Sequence, residues 1–219
     1  MPVIAFRPDK VRQSMSQCRH PRGWLGRLSV WSMNRRHSAL TDWGLQQVSI
    51  GVGDTILDVG CGGGRTVAKL AVRAPEGHVY GIDVAPASIA VSRRTNRQAI
   101  EAGRVSIEEA SASALPFARD TFDLVTAVET HFWWQSLGDG MRDICRVLKP
   151  RGRLVLIAEF YNGGRHARYA ERLGRITGMA ALDVGQHQAL FTDAGFTDVR
   201  VAEDAPRGWI CALGAKPQE

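Results

Sequence analysis

A glycine-rich segment behind a short apolar run constrains the fold more than any other part of this sequence. The run 55–60 leads into Gly60, Gly62 and Gly64, which are spaced two residues apart. Glycine lets the backbone turn tightly and approach a ligand closely, and a helix that begins there presents free N–H groups. Nicotinamide-binding loops have the spacing GxGxxG, which would require glycine in place of Arg65. The segment therefore predicts a strand, a ligand-binding turn and a helix, with a ligand other than a nicotinamide dinucleotide.

From this segment onward, apolar runs alternate with longer mixed segments. The predicted strands are 55–60, 78–83, 104–109, 122–128 and 153–160. The predicted helices between them lie near 64–73, 86–102 and 136–148. The runs are β-branched and mostly apolar rather than alternating, which is typical of parallel strands covered on both faces. The βαβ order predicts a doubly wound α/β sheet with right-handed crossovers.

The end of the chain has a different pattern. A predicted helix at 183–194 is followed by strand-like runs at 196–204 and 209–217, with a Pro-Arg-Gly turn at 206–208 between them. Two strands joined by so short a turn are antiparallel neighbours. Residues 149–152 are predicted to end a helix and turn into the next strand. The mostly parallel sheet is therefore expected to end in an antiparallel hairpin.

Two segments lie outside this alternation. We expect residues 1–50 to form a helical cap or lid, and residues 161–182 to form a second cap element on one domain at 51–219. The net charge of +6 is concentrated in residues 1–40, which carry eight basic side chains and one acidic side chain. The positive field therefore belongs to the N-terminal segment.

The apolar runs and the cysteine pattern predict the cellular compartment of the protein. The longest apolar run, 154–158, is far too short to cross a membrane, and no secretory signal is expected. The four cysteines are scattered without a CxxC pair, so we predict neither a disulfide framework nor a zinc site, and a cytoplasmic location. Arginine far outnumbers lysine, which is typical of a GC-rich bacterial genome.

Further motifs follow the glycine segment in order. Asp83 stands 25 residues after Asp58 at the end of the second predicted strand, where an acid can accept hydrogen bonds from both hydroxyls of an adenosyl ribose. Later motifs are 111–117, 120–125, 146–154 and 193–196. Together they resemble the class I S-adenosylmethionine-dependent methyltransferases, small bacterial members in particular, from Thr55 to the C-terminus. The resemblance implies a Rossmann-like, seven-stranded sheet whose last strand is antiparallel, and S-adenosyl-L-methionine as cofactor.

The same resemblance implies which residues hold the cofactor. The glycine loop contacts it, Asp83 binds the ribose, and the segment around Ser111 lies beside the adenine. Family members often have Gly-Asp-Ala at 110–112, so the hydroxyl of Ser111 replaces a carboxylate that would accept from the adenine amino group. The expected cofactor contacts are Asp58, Gly60, Cys61, Gly62, Gly64, Asp83, Val84, Ser111, Ala112 and Glu129.

The segment 129–134 follows the fourth predicted strand and should face the cofactor, because open α/β sheets bind ligands at the carboxyl ends of their strands. Its three aromatic residues would form a pocket wall whose ring faces suit a cationic sulfur; the alternative is that some pack in the core. The candidate general bases are Glu129, His131 and His37, with Glu159 behind them. No metal site is predicted.

An amphipathic helix is expected at 24–37, either as a lid over the acceptor or, alternatively, on a membrane surface. The expected acceptor contacts are Trp24, Trp31, Met33, Phe132, Trp133 and Tyr161. Four arginines share one helical face in the second cap: Arg165, Arg168, Arg172 and Arg175. They could steer an anionic acceptor, or they could form an ordinary solvated surface.

The predicted function is in-line methyl transfer to an oxygen, nitrogen or sulfur of a small molecule, with anionic and aromatic molecules as the candidate acceptors. One alternative is a nucleic-acid methyltransferase, against which stands the lack of an Asn/Asp-Pro-Pro-aromatic motif after the fourth strand. Others are a different reaction of the same cofactor, such as cyclisation, and a cofactor-binding sensor. Neither nucleic acid nor a membrane is expected as a partner, and the sequence predicts no oligomeric state.

Overall fold

The computed structural model describes residues 37–179 and 181–218. Seven strands form one sheet in the order β3-β2-β1-β4-β5-β7-β6, in which β7 is the antiparallel strand. The strands are β1 Thr55–Val59, β2 His78–Asp83, β3 Val105–Glu109, β4 Phe122–Val128, β5 Leu148–Ala158, β6 Thr197–Asp204 and β7 Trp209–Ala215. The predicted doubly wound sheet and its terminal hairpin are confirmed.

Helices cover both faces of the sheet. They are α1 Ser38–Leu45, α2 Arg65–Arg73, α3 Pro86–Thr95, α4 Arg97–Glu101, α5 Leu137–Val147, α6 Ala167–Thr177 and α7 Val184–Asp193, with a 3-10 turn at His131–Trp133. Among the described residues, no helix is long and apolar enough to span a lipid bilayer. Of the cap expected at 1–50, only residues 37–50 are described, and both cap assignments stay predictions.

Burial on both faces explains why the strands are continuously apolar. Successive residues of β1 point to opposite sides, so that Ile56 packs in the cluster beneath α1, α2 and α3 while Leu57 packs in the cluster beneath α5 and α7. In β5, Val155 and Leu156 divide between the same two clusters. Parallel strands buried in this way have no polar face and hence no alternation.

The helix predicted at 86–102 is divided at Asn96 into α3 and α4. The Asn96 side chain is buried, and its Nδ2 donates to Gly64 O and to Ser92 O, at 2.9 Å in both cases. A side chain that bonds backbone carbonyls competes with helix continuation. The break thus ties the end of α3 to the glycine loop.

Replacing Asn96 with alanine is expected to lower the free energy of unfolding by about 1–2 kcal/mol, because the two buried side-chain hydrogen bonds to Gly64 O and Ser92 O are lost. Urea denaturation followed by circular dichroism measures this loss. Gln98→Ala, on the exposed side of α4, serves as the control. Equal stability of the two variants would contradict the assigned role of Asn96.

The turn predicted at 149–152 is part of strand β5. The strand already pairs with β4 at Leu148, and its register shifts before Arg153 pairs with Leu124. Arg151 in this stretch has a φ of 65°. The extra residues form an irregularity in the pairing between β4 and β5. Such an irregularity and a turn both contain left-handed backbone, so the sequence pattern predicts a turn here.

Candidate functional site

A cavity of about 560 Å³ lies at the carboxyl ends of the central parallel strands. Its walls come from the segments that follow β1, β2, β3, β4 and β5, together with α1 and the α6 segment. The volume is in the range of small-molecule sites, and the position is where open α/β sheets bind ligands. The carboxyl ends meet here because β1, β2, β3, β4 and β5 run parallel.

The glycine loop forms one wall of this cavity. Gly60, Gly62 and Gly64 have φ values of 71°, 51° and 78°, in the left-handed region that favours glycine. A Cβ at Gly60 would overlap Thr130 Oγ1, whereas a Cβ at Gly62 would meet open space. Gly60 and Gly62 line the cavity. Gly64 is not among the described lining residues of the cavity. It is the N-cap residue of α2 and lies so close to Ser92 that a Cβ would overlap it.

Asp83 lies at the end of β2 and lines the cavity beside Val84. Its Oδ2 accepts a hydrogen bond from Gly62 N at 3.0 Å, and its Oδ1 accepts one from Ala85 N at 2.8 Å. These bonds fix the plane of the carboxylate. Each oxygen of a carboxylate can accept more than one hydrogen bond, so the fixed group can also receive a pair of vicinal hydroxyls.

Asp58 occupies a different place from the one predicted. It is buried beneath the loop, is not among the described residues that line the cavity, and accepts a hydrogen bond from Thr126 Oγ1 at 2.7 Å. Burial raises its pKa to about 7, and the nearby charge of Asp83 acts in the same direction. We therefore correct its role from a direct contact to a support of the strand end that carries the loop.

Cys61 lines the cavity as a small buried side chain. Its Sγ lies 3.7 Å from Ser92 Oγ, to which it donates. Burial raises the pKa of the thiol well above its usual value, and Asp58 and Asp83 add to the effect. A thiol held in its neutral form is a poor nucleophile. Cys61 therefore contributes shape to this wall rather than covalent chemistry.

The segment predicted to lie beside an adenine, including Ser111 and Ala112, does line the cavity. Ser111 Oγ accepts from Ser113 N at 3.3 Å, and an isolated bridge joins Ser111 to Ala114. Helix α5 holds the end of this segment, because Leu115 N donates to Asp143 Oδ2 at 2.6 Å. Asp143, which belongs to none of the sequence motifs, thus keeps the Ser111 segment in place.

Aromatic side chains build the wall on the β4 and β5 side. Phe132 and Trp133 line the cavity as predicted contacts, and Trp134, Phe160 and Tyr169 join them. Tyr161, also predicted, is instead buried behind the wall, where its hydroxyl donates to Glu203 Oε1 at 2.6 Å. Neighbouring side chains at a strand end point to opposite sides, so Phe160 takes the place expected of Tyr161.

His131 is removed from the candidate bases. It is buried, it is not among the described lining residues, and its ring lies 5.5 Å from that of His187. Burial of the ring lowers the pKa of His131 to about 3, and the neighbouring His187 makes a smaller contribution in the same direction. Nδ1 of His131 and Nε2 of His187 are buried without hydrogen-bond partners. This pair belongs to the core beneath the cavity.

The other two candidate bases meet Glu159 in the cavity wall. We call His37, Glu129 and Glu159 the polar cluster. His37 Nε2 lies 3.7 Å from Glu159 Oε1, and the two side chains are 20% and 17% exposed. Glu129, with a φ of 58°, accepts a short hydrogen bond from Glu159 N through its Oε1. One donor atom from each of the three side chains lies within 4.8 Å of the others.

Of the remaining predicted residues, Trp24, Trp31 and Met33 lie outside the described part of the chain. In the arginine face, Arg165 donates to Pro206 O at 2.6 Å and Arg175 pairs with Glu171 at 2.8 Å. None of those four arginines is among the described residues that line the cavity.

Several lining residues carry no sequence signal of their own. Thr41, Thr66, Ser88 and Met179 reach the cavity from separate helices and loops, so no spacing relates them. Tyr169 and Leu173 are an exception, because they lie four residues apart on one face of α6. Helical periodicity in the cap segment would have found this pair.

Comparisons with known proteins agree with this arrangement. A family model described as a methyltransferase domain matches residues 57–156. The uncharacterized methyltransferase YdaC of Bacillus subtilis is 26% identical over 87% of this chain and 98% of its own length. The O-methyltransferase rstn1 of Aspergillus nomiae is 33% identical over 68% of each chain.

Among solved structures, geranyl diphosphate C-methyltransferase from Streptomyces coelicolor superposes with a TM-score of 0.71. It is 15% identical to this chain, and the match covers 90% of this chain and 85% of that one. At so low an identity, the match shows only that the two proteins share a fold. The relatives and the matched domain identify the family: the chain belongs to the class I S-adenosylmethionine-dependent methyltransferases.

Proposed function

We propose that this enzyme transfers the methyl group of S-adenosyl-L-methionine to a small-molecule acceptor held in the same cavity. The observation that carries the proposal is one continuous wall. It runs from the glycine loop and Asp83, past the Ser111 segment, to the aromatic residues and the polar cluster. The proposed cofactor site and the proposed acceptor site are thus adjacent, as direct transfer requires.

The residues present fit this cofactor. Asp83 presents a fixed carboxylate suited to two ribose hydroxyls, and Gly62 leaves open space where a side chain would stand. Ser111 and Ala112 offer a neighbouring wall for the adenine. Geranyl diphosphate C-methyltransferase, a structural neighbour, was solved with S-adenosyl-L-homocysteine. Asp83, the loop, Val84, Ser111, Ala112 and Glu129 are the contacts we propose.

When bound, the cofactor supplies an activated methyl group. The chain has to align an acceptor atom with that group and to exclude water. Phe132, Trp133 and Phe160 form an apolar wall for this purpose, and their ring faces attract a cation. The polar cluster at the same end offers an imidazole and two carboxylates, which can hold the acceptor and take up its proton.

A small molecule is the acceptor class we favour. The cavity volume suits one, and O-methyltransferases such as rstn1 and the erythromycin 3''-O-methyltransferase of Saccharopolyspora erythraea are among the relatives. None of the four arginines of the second cap is among the described residues that line the cavity, so the acceptor need not be anionic. We keep the cytoplasm as the expected compartment.

Incubation with methyl-labelled S-adenosylmethionine and a panel of phenols, alcohols, amines and thiols tests the proposal. We expect equal amounts of S-adenosylhomocysteine and of a labelled acceptor. We also expect Glu129→Gln to slow the release at least about tenfold, because the variant lacks a charge at the acceptor end. Glu171→Gln, on the exposed side of helix α6, is the control.

Other outcomes distinguish the alternatives. Consumption of the cofactor without a labelled acceptor would indicate a different reaction, such as cyclisation. Binding without consumption, also in the presence of a cell extract, would indicate a sensor. Label in nucleic acid rather than in small molecules would overturn the acceptor class.

A further inference from the structure

We propose that the polar cluster of His37, Glu129 and Glu159 binds one divalent first-row transition ion of the Zn²⁺ type. The three residues come from separate parts of the chain: the start of α1, the residue after β4 and the residue after β5. All three line the cavity, and one donor atom from each lies within 4.8 Å of the others. Small rotamer changes bring such atoms to the distances of a common ligand sphere.

The donor atoms are of the kinds that such an ion takes. Two carboxylates and one imidazole line the same partly buried wall. A divalent ion neutralises both carboxylates, while a neutral His37 adds a nitrogen ligand without further charge. One imidazole and two carboxylates form a mixed nitrogen and oxygen set. Such a set suits a first-row transition ion better than Mg²⁺ or Ca²⁺, which prefer oxygen ligands.

The backbone holds these ligands in place. Glu129 N donates to Ile157 O at 2.9 Å, and the Glu129 carboxylate accepts from Glu159 N, so the β4 and β5 ends are joined at the site. Helix α1, which begins next to His37, packs so closely that a Cβ on Gly44 would overlap Ile157 Cδ1. Ligands on rigid elements, with a hydrogen bond that orients one of them, are typical of built metal sites.

The role of the ion rests on the proposed function. Three protein ligands leave coordination positions open, and here they would face the cavity. An ion there would act as a Lewis acid: it would lower the pKa of an acceptor hydroxyl at such a position, and the proton would pass to water. The acceptor oxygen would then take the methyl group as the carbon–sulfur bond breaks, with the bonding pair left on sulfur. With the ion bound, the three side chains act as ligands rather than as bases.

Titration of the chelator-treated full-length protein with Zn²⁺ by calorimetry, and with Co²⁺ by visible absorption, tests this site without any methyl transfer. We expect one ion per chain. His37→Ala and Glu159→Gln should each weaken binding at least about tenfold, as expected for loss of a ligand. Glu129 is left unchanged because we also place it beside the cofactor. The controls are His78→Ala, at the opposite end of β2, and Glu171→Gln.

Two results would overturn the site. One is the absence of binding by protein that still binds S-adenosylhomocysteine. The other is unchanged binding in both His37→Ala and Glu159→Gln, which would place the ion outside the polar cluster. Failure of the proposed function is separate from these results, because it would appear as a protein that binds the ion but not S-adenosylhomocysteine.

Discussion

Asp83→Ala is expected to weaken the binding of S-adenosylhomocysteine by at least about a hundredfold. The wild-type carboxylate is held by Gly62 N and Ala85 N with its plane fixed at the cavity wall. Two hydrogen bonds from ribose hydroxyls to a charged acceptor contribute about 3 kcal/mol or more, which corresponds to roughly two orders of magnitude in affinity. Calorimetric titration of both proteins gives the ratio.

Two further variants separate ligand contact from loop support. Asp83→Asn keeps the shape of the side chain and one acceptor oxygen. Its affinity for S-adenosylhomocysteine should therefore lie between the affinities of the wild type and Asp83→Ala. Glu109→Gln removes an exposed carboxylate at the end of the neighbouring strand β3 and should bind as the wild type does. Binding by Asp83→Ala within threefold of the wild type would show that the ribose lies elsewhere.

Acid is expected to destabilise the protein through His131. Its pKa is lowered to about 3 in the folded chain, against 6.5 in the unfolded chain, mainly because the ring is buried. The folded state thus binds fewer protons between these values, so this contribution to stability falls as the pH drops below about 6.5. At pH 4.5 we expect about 3 kcal/mol less free energy of unfolding from this residue than at pH 8.

A His131→Phe variant isolates this effect. Asp58, whose pKa is raised to about 7 by burial, opposes it by adding stability as the pH falls, but Asp58 is present in both proteins and cancels in the comparison. The wild type should therefore lose about 3 kcal/mol more than the variant between pH 8 and pH 4.5 in urea denaturation. Parallel pH profiles would refute the assignment. His78→Phe, at a partly exposed histidine on β2, is the control.

The fold was largely predictable from the sequence because its signals are local. The glycine loop, the apolar strands and the Pro206 turn each depend on neighbouring residues, and all three appear in the structure where expected. The errors lie where a distant contact decides local structure. Asn96 breaks a helical pattern because Gly64 and Ser92 offer it carbonyl partners. The turn expected at 149–152 lies within β5 because Leu148 and Arg153, on either side of it, both pair with β4.

The site was predictable only in part. Asp83 and the loop follow from spacing along two adjacent strands. His37, Glu129 and Glu159 were also expected as candidate bases. Their meeting in one cluster was not predictable, because they are far apart in sequence and come together only where β4, β5 and α1 end or begin. Sequence alone also could not distinguish the buried ring of His131 from the lining side chain of Phe132 beside it.

A crystal structure of the protein with S-adenosylhomocysteine is the decisive measurement. We expect the ribose hydroxyls against Asp83, the adenine beside Ser111, and the sulfur directed toward Glu129 and the wall formed by Phe132 and Trp133. A ligand bound outside this cavity, or bound in it with the sulfur turned away from Glu129, would refute the proposed site.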